Sequence, residues 1–318
     1  MGESMAVACG KLLMKSLSPL KLAVPFCVPF YAPFYAALKT GAYARQGLDV
    51  VMQIGGSGQA VVDALLERRA DVAWGGPARV MHERDADPES PLRCFCSVVK
   101  RDPFLLVGHK PRPGFRLEDL PNHTLGTVTE VPTPWLCLQD DLRRAGIDPA
   151  TVRCLTGRTM AENAQAVACG ELDIAQLFEP HASLLEMRGE GAVWLSAAER
   201  GDTAYTSFIA TSAQIAARRT EFRALVRALT DTLGWIAAEG PAALSTAVQG
   251  YFDDIPPEVL QNCLTRYFRL GIWSESPHIS RESFDRLAQA LASAGSVSRL
   301  PDYDACVDSS IVEEALSQ

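Results

Sequence analysis

Between residues 47 and 81 the pattern of apolar and polar positions changes period twice. Val50-Val51-Met52-Gln53-Ile54 is a short apolar run, ended by Gly55-Gly56-Ser57-Gly58. Ala60, Val61, Ala64 and Leu65 then recur at helical spacing, which predicts a helix with Ser57 as its N-cap. Asp71-Val72-Ala73-Trp74 predicts a second short strand, stopped by Gly75, Gly76 and Pro77. Strand, glycine turn, helix and strand in about thirty residues make a βαβ unit, two parallel strands joined by a right-handed crossover.

The same order returns between residues 146 and 185. Val152 to Leu155 predicts a strand and Thr156 to Thr159 a turn. A helix follows from Met160 to Ala168, capped by Thr159 and carrying Glu162 in the first turn, where the macrodipole favours an acid. Leu172 to Leu177 closes the unit. Asp71-Val72-Ala73 and Asp173-Ile174-Ala175 hold the same place in the two copies, and each leads to a proline, Pro77 or Pro180. Two such units predict two α/β lobes. Ligands of open α/β sheets sit beyond the carboxyl ends of the strands. The turns Gly55 to Gln59 and Thr156 to Thr159, with the loops Trp74 to Arg79 and Phe178 to His181, should therefore face one cleft.

Composition narrows the functional classes. At 318 residues, 47% hydrophobic and 21% charged, the chain reads as globular and long enough for two lobes. Its net charge of -8, with no basic run, argues against a nucleic-acid partner. No stretch reaches the ~18 consecutive apolar residues of a membrane span. Near the start, Lys11 and Lys15 interrupt the apolar residues, so no export signal is visible. The nine cysteines mostly stand in apolar contexts and read as reduced, buried small residues. Strand alternation puts Cys94 and Cys96 on one face, for core packing or a metal. No histidine is paired with them in sequence, and no metal site is assigned.

From Val24 to Pro77 stand, in order, an aromatic loop, a helix, Gly41-Ala42-Tyr43, Gly47-Leu48-Asp49-Val50, a glycine turn and Asp71-Val72-Ala73. Glu118-Asp119-Leu120 precedes the first strand of the second unit, followed by Pro121-Asn122-His123 in place of the usual Gly-Lys. In this series the chain resembles the NMT1/THI5-like substrate-binding proteins for nitrate, sulfonates, taurine and thiamine pyrimidines. The resemblance implies an α/β, two-lobed type II periplasmic-binding-protein fold with two mixed sheets and a hinge of two crossing segments. These are expected near Val99 to Phe104 and Ser207 to Ala210. Lobe 1 would comprise residues 20–102 and 210–318 with the C-terminal helices, lobe 2 residues 103–209, and residues 1–19 a tail. The family closes on a small molecule and delivers it to an ABC-transporter permease, with no catalysis and no cofactor. The implied location is periplasmic, or cytoplasmic if the absent signal is taken at face value.

Candidate contacts follow from the cleft-facing segments. Phe26 and Tyr31 could wall a flat ligand, Tyr31 as the exposed member, while Phe30, Phe34 and Tyr35 partly anchor the first helix. Gly55, Ser57, Gly58 and Gln59 offer a helix N-terminus to an anion. Trp74 could stack on a ligand or pack in the core. Gly75 stands beside it, and Arg79 could clamp an acid or stay solvated. From the second lobe come Thr127, Thr129, Glu130 and Thr133, with Phe178 and Glu179. By resemblance to the thiamine-pyrimidine binders, Glu179 would meet a ligand amine. His82 and His181 read as solvated. The leading ligand is an aromatic or heterocyclic molecule such as a thiamine-pyrimidine precursor, and the alternative is a sulfonate, nitrate or carboxylate. A cytosolic pyrimidine-synthase-like enzyme is the rival of another class, but the longer cysteine run of those enzymes is absent beside Arg93-Cys94-Phe95-Cys96-Ser97. A cytoplasmic sensor on the same fold is the third reading.

Overall fold

The computed structural model describes residues 17–317. Cys9, Lys11, Lys15 and all but the last three residues of the expected tail lie outside the described residues. The strands, in chain order, are β1 (Ser18–Val24), β2 (Leu48–Ile54), β3 (Val72–Gly75), β4 (Leu92–Val99), β5 (Leu105–Gly108), β6 (Thr124–Val128), β7 (Arg153–Arg158), β8 (Ile174–Leu177), β9 (Ala192–Ser196) and β10 (Thr206–Thr211). They form two five-stranded sheets, ordered β2-β1-β3-β10-β4 and β7-β6-β8-β5-β9. Both are mixed. β1 runs parallel to β2 and β3 while β10 is antiparallel to β3 and β4. β6 runs parallel to β7 and β8 while β5 is antiparallel to β8 and β9.

The repeated sequence has a structural cause. In each copy the two strands are parallel but flank a third, β1 in one lobe and β6 in the other. The shared aspartate serves that central strand: Asp71 accepts from Lys21 N at 2.8 Å, and Asp173 accepts from Thr124 N at 2.8 Å. The expected caps are present. Ser57 Oγ accepts from Ala60 N at 3.1 Å at the head of the helix Gly58–Leu66. Thr159 and Glu162 form a reciprocal capping box on the helix Met160–Ala168. The expected turn at Thr156 to Thr159 is mostly strand, because β7 continues to Arg158 past an irregularity opposite Thr127.

The chain crosses between the sheets at residues 100–104 and returns at residues 197–205. The return expected at Ser207 to Ala210 lies inside β10, held between β3 and β4, so the expected boundary at 209/210 cuts a strand of the first sheet. β1 likewise takes Ser18 and Pro19 from the expected tail. The crossing segments bond to one another, Thr203 N to Lys100 O at 2.7 Å and Ala197 N to Phe104 O at 2.9 Å. Between them the buried guanidinium of Arg200 pairs with Asp102 and Asp141.

The first sheet is packed on both sides. One core joins Leu20, Leu22 and Val24 to Phe222, Leu225, Val226 and Leu229 of the long helix Arg219–Val248. The other joins Ala23 and Ala73 to Val61, Val80, Phe284 and Leu291. Cys94 and Cys96 fall on opposite sides, in different cores, contrary to simple alternation. Phe208 opposes Cys96 and the next residue, Ile209, opposes Cys94, so the residue between the cysteines is bulged and the alternation slips by one. Cys137, Cys263 and Cys306 are also buried, Cys154 is half-buried, and Cys27 and Cys169 are exposed. Among the described residues no helix is long and apolar enough to cross a membrane.

Candidate functional site

A cavity of about 400 Å³ lies between the lobes. Its wall from the first lobe is the loop after β1 (Pro25, Phe26, Cys27, Val28, Phe30, Tyr31), Gly58 and Val61, and the segment after β3 (Gly75, Gly76, Ala78, Arg79, His82). The second lobe gives Glu130 to Thr133, Met160, Phe178, Pro180 and His181. Tyr205 and Ile209 come from the returning segment and β10, and Ile255 and Leu287 from the C-terminal part of the chain. Five helices begin at this wall: Gly58–Leu66, Pro77–Ala86, Thr133–Arg144, Met160–Ala168 and His181–Arg188. The β-strand ends do converge from both lobes, and they bring helix N-termini with them.

In the second lobe carboxylates of the chain itself serve two of the three helix starts, while Thr133–Arg144 has no acid in its first turn. Glu130 Oε1 accepts from Met160 N at 2.8 Å, and Glu179 Oε2 accepts from Ser183 N at 2.8 Å. In the first lobe neither helix carries an acid in its first turn. Arg79 adds its own charge there. Its guanidinium lies so close to Gly58 that a β-carbon on that residue would stand 2.8 Å from Nε. Arg79 is half-buried and forms no ion pair among the described residues. Unneutralised helix dipoles and an unpaired guanidinium on one wall make that wall attract an anion.

The rest of the cavity is largely aromatic and apolar. Phe30 meets Tyr31 edge-on at 4.4 Å between centroids and Phe178 at 5.4 Å. Tyr31 is only 5% exposed rather than the open member of its loop, yet it lines the cavity. Burial pushes the phenols of Tyr31 and Tyr205 up, so both stay protonated donors. His82 bonds Ser296 Oγ at 2.8 Å through Nε2. Burial holds both His82 and His181 below the usual imidazole range, with Arg79 pushing His82 further down and Glu130 opposing the shift at His181. These histidines belong to the wall and are half-buried rather than freely solvated.

Of the candidate residues, the structure brings Phe26, Tyr31, Gly58, Gly75, Arg79, Glu130, Thr133 and Phe178 to the cavity. The others lie elsewhere. Trp74 is fully buried in the first core, stacked on Phe34 with centroids 3.9 Å apart, because its strand turns it away from the cleft. Ser57 spends its hydroxyl on the helix cap, and Gln59 points along the helix to Asp63. Gly55 precedes the wall without forming it. Thr127 is buried with its hydroxyl donating to Leu155 O at 3.4 Å, and exposed Thr129 donates to Glu130 at 3.4 Å. Glu179 is the largest departure. It is fully buried, its carboxylate turned from the cavity onto Arg266 Nε at 2.6 Å and Ser183 Oγ at 2.9 Å. Neither Ile255 nor Leu287 stood out in the sequence, since both lie far from either repeat.

Residues 29–243 match the family model described as NMT1/THI5 like. YtlA of Bacillus subtilis strain 168 is 24% identical over 280 residues, covering 87% of this chain and 84% of that protein. Among solved structures, the periplasmic aliphatic sulphonate binding protein SsuA from Escherichia coli superposes with a TM-score of 0.74 at 14% identity, covering 91% of this chain and 97% of that one. The ligand binding component of an ABC-type import system from Staphylococcus aureus gives 0.73 at 15% identity, over 94% and 99% of the two chains. The desulfurization enzyme DSZB gives 0.68 at 13%, over 94% and 99%. At these identities the likeness is one of fold, and the fold serves binding proteins and an enzyme alike.

Proposed function

The chain belongs to the NMT1/THI5-like family, and on that premise we propose that it is the solute-binding receptor of an ABC importer. It works on the outer side of the membrane, handing its ligand to a permease. The ligand in this reading is an organic anion with an aromatic or extended apolar body, such as a sulfonate or carboxylate. One observation carries it: half-buried, unpaired Arg79 over Gly58 at the head of an uncapped-by-acid helix, facing a cavity whose other walls are aromatic. A cavity of about 400 Å³ is far larger than nitrate needs. The thiamine-pyrimidine reading depended on Glu179, whose carboxylate is committed to Arg266 and Ser183. Glu130 is the remaining carboxylate at the wall, and it already accepts from Met160 N. The similarly folded SsuA is an aliphatic sulphonate binding protein, which agrees with the anionic group of this choice.

A thermal-shift panel tests the reading, with aryl and alkyl sulfonates, aromatic carboxylates, nitrate and aminopyrimidines. A ligand at 100 times its Kd adds about 2.7 kcal/mol. Aryl sulfonates or carboxylates should raise the melting temperature of the wild type and not of Arg79→Met. A shift with aminopyrimidines alone, retained in Arg79→Met, would overturn the anion reading and move the weight to Glu130.

A further inference from the structure

The C-terminal part of the chain grips both lobes on two sides of the cleft. The helix Pro257–Leu270 buries Leu260, Leu264 and Tyr267 in the first-lobe core. Cys263, Arg266 and Tyr267, at helical spacing, hold the second-lobe loop after β8. Arg266 pairs with Glu179 and Glu186, Cys263 Sγ donates to Glu179 Oε2 at 3.5 Å, and Glu179 N donates to Tyr267 Oη at 2.9 Å. The chain then passes the crossing segments, where Lys100 N donates to Ile272 O at 2.8 Å. A second helix, Arg281–Ser293, reaches the other side of the cleft. There Arg144 Nη2 donates to Gln289 Oε1 at 2.7 Å, and Ser293 Oγ donates to Asp140 Oδ1 at 3.2 Å, both across to the second lobe. Beyond it Ser298 bonds Asp85 of the first lobe through N and Oγ at 2.8 Å each.

We propose that residues 255–298 are a clasp that holds the two lobes closed with or without ligand, and that the Arg266–Glu179 pair is its pin. Simple rotation about the two crossing segments would have to break contacts on both sides of the cleft at once, including an ion pair with one fully buried member. The clasp also senses the cavity. Ile255 and Leu287 form part of its wall, and Phe178 and Pro180, on either side of Glu179, form another part. A ligand pressing on Phe178 or Pro180 therefore acts on the loop that the pin secures, and opening begins with that loop leaving Arg266. Glu179 and Arg266 are thus positioning residues that touch no ligand.

Small-angle scattering of the ligand-free protein tests this independently of what the cavity binds. Wild type should give the closed curve, unchanged by adding benzenesulfonate. The double variant Glu179→Gln/Arg266→Met removes both charges, so no bare buried ion remains. It should show a larger radius of gyration and faster amide exchange at Ser183 and Met160, by about tenfold or more, with the first-lobe core amides unchanged. If that variant does not fold, Arg144→Ala/Gln289→Ala loosens the opposite side at exposed positions and should expand the protein to a smaller degree. The clasp is overturned if ligand-free wild type is already as expanded as the variants, or if the variants scatter as wild type does.

Discussion

Gly58 allows the anion anchor to be displaced without altering a charged residue. It is the first residue of the helix Gly58–Leu66, and the nearest atoms to an added β-carbon all belong to the Arg79 guanidinium: Nε at 2.8 Å, Nη2 at 3.0 Å and Cζ at 3.2 Å. Such a contact must be relieved, and the end of a flexible arginine is what moves. The fold itself should tolerate Gly58→Ala. Alanine restricts the unfolded chain and is worth ~0.4–1 kcal/mol where the backbone accepts it. Displacing the guanidinium offsets part of that gain, so urea stability should stay within about 1 kcal/mol of wild type. Binding is affected differently. A hydrogen bond to a charged group contributes about 1.5–3 kcal/mol, so losing it should weaken an aromatic sulfonate roughly 10- to 150-fold. Calorimetric titration with such a sulfonate, beside urea unfolding, separates the two effects. Full affinity at unchanged stability would show that Arg79 is not the anchor. A loss of several kcal/mol in stability would show that the backbone, rather than the arginine, gives way.

Further substitutions test other parts of the argument. Trp74 is fully buried, stacked on Phe34, and its Nε1 has no partner; Trp74→Ala should cost about 3–5 kcal/mol in urea unfolding. Trp74→Phe should cost less than about 2 kcal/mol, because it also removes a buried donor left unpaired, and equal costs would refute that. Arg200→Met should destabilise by about 3–5 kcal/mol at pH 8 by stranding Asp102. Burial already raises the Asp102 carboxyl pKa against the pull of Arg200, and the variant raises it further. A raised carboxyl favours folding most below the unfolded value near 3.9 and loses that contribution as pH climbs through the folded value. The deficit relative to wild type should therefore narrow at pH 5, and a wider gap there would contradict the account. His82 and His181, both lowered mainly by burial, should make ligand-free stability fall as pH drops below about 6.5, since the unfolded chain takes protons first. A bound anion favours protonated imidazole, so affinity for an aryl sulfonate should rise from pH 8 to 5.5, and a flat titration series would count against their place beside the anion.

What the sequence determined by itself was local and periodic. The doubled strand–helix–strand pattern marked two equivalent lobes, Ser57 and Thr159 marked their caps, and Gly58, Gly75 and Arg79 marked a wall, because backbone turns and helix starts are written in neighbouring residues. Tertiary structure decided where side chains point. One bulged residue opposite β10 sent Cys94 and Cys96 into different cores, and Trp74 shares the face of β3 that packs with Val72 into the first core, behind the cavity instead of in it. Glu179 shows the reason most directly. Its loop lies at the cleft as its place after β8 requires, but its carboxylate follows the strongest partner available, an arginine 87 residues away on a helix the repeat does not contain. Ile255, Leu287 and the grip of the C-terminal helices are likewise long-range pairings. Their energy depends on which surfaces meet after folding, and nothing in the local pattern of either partner states it.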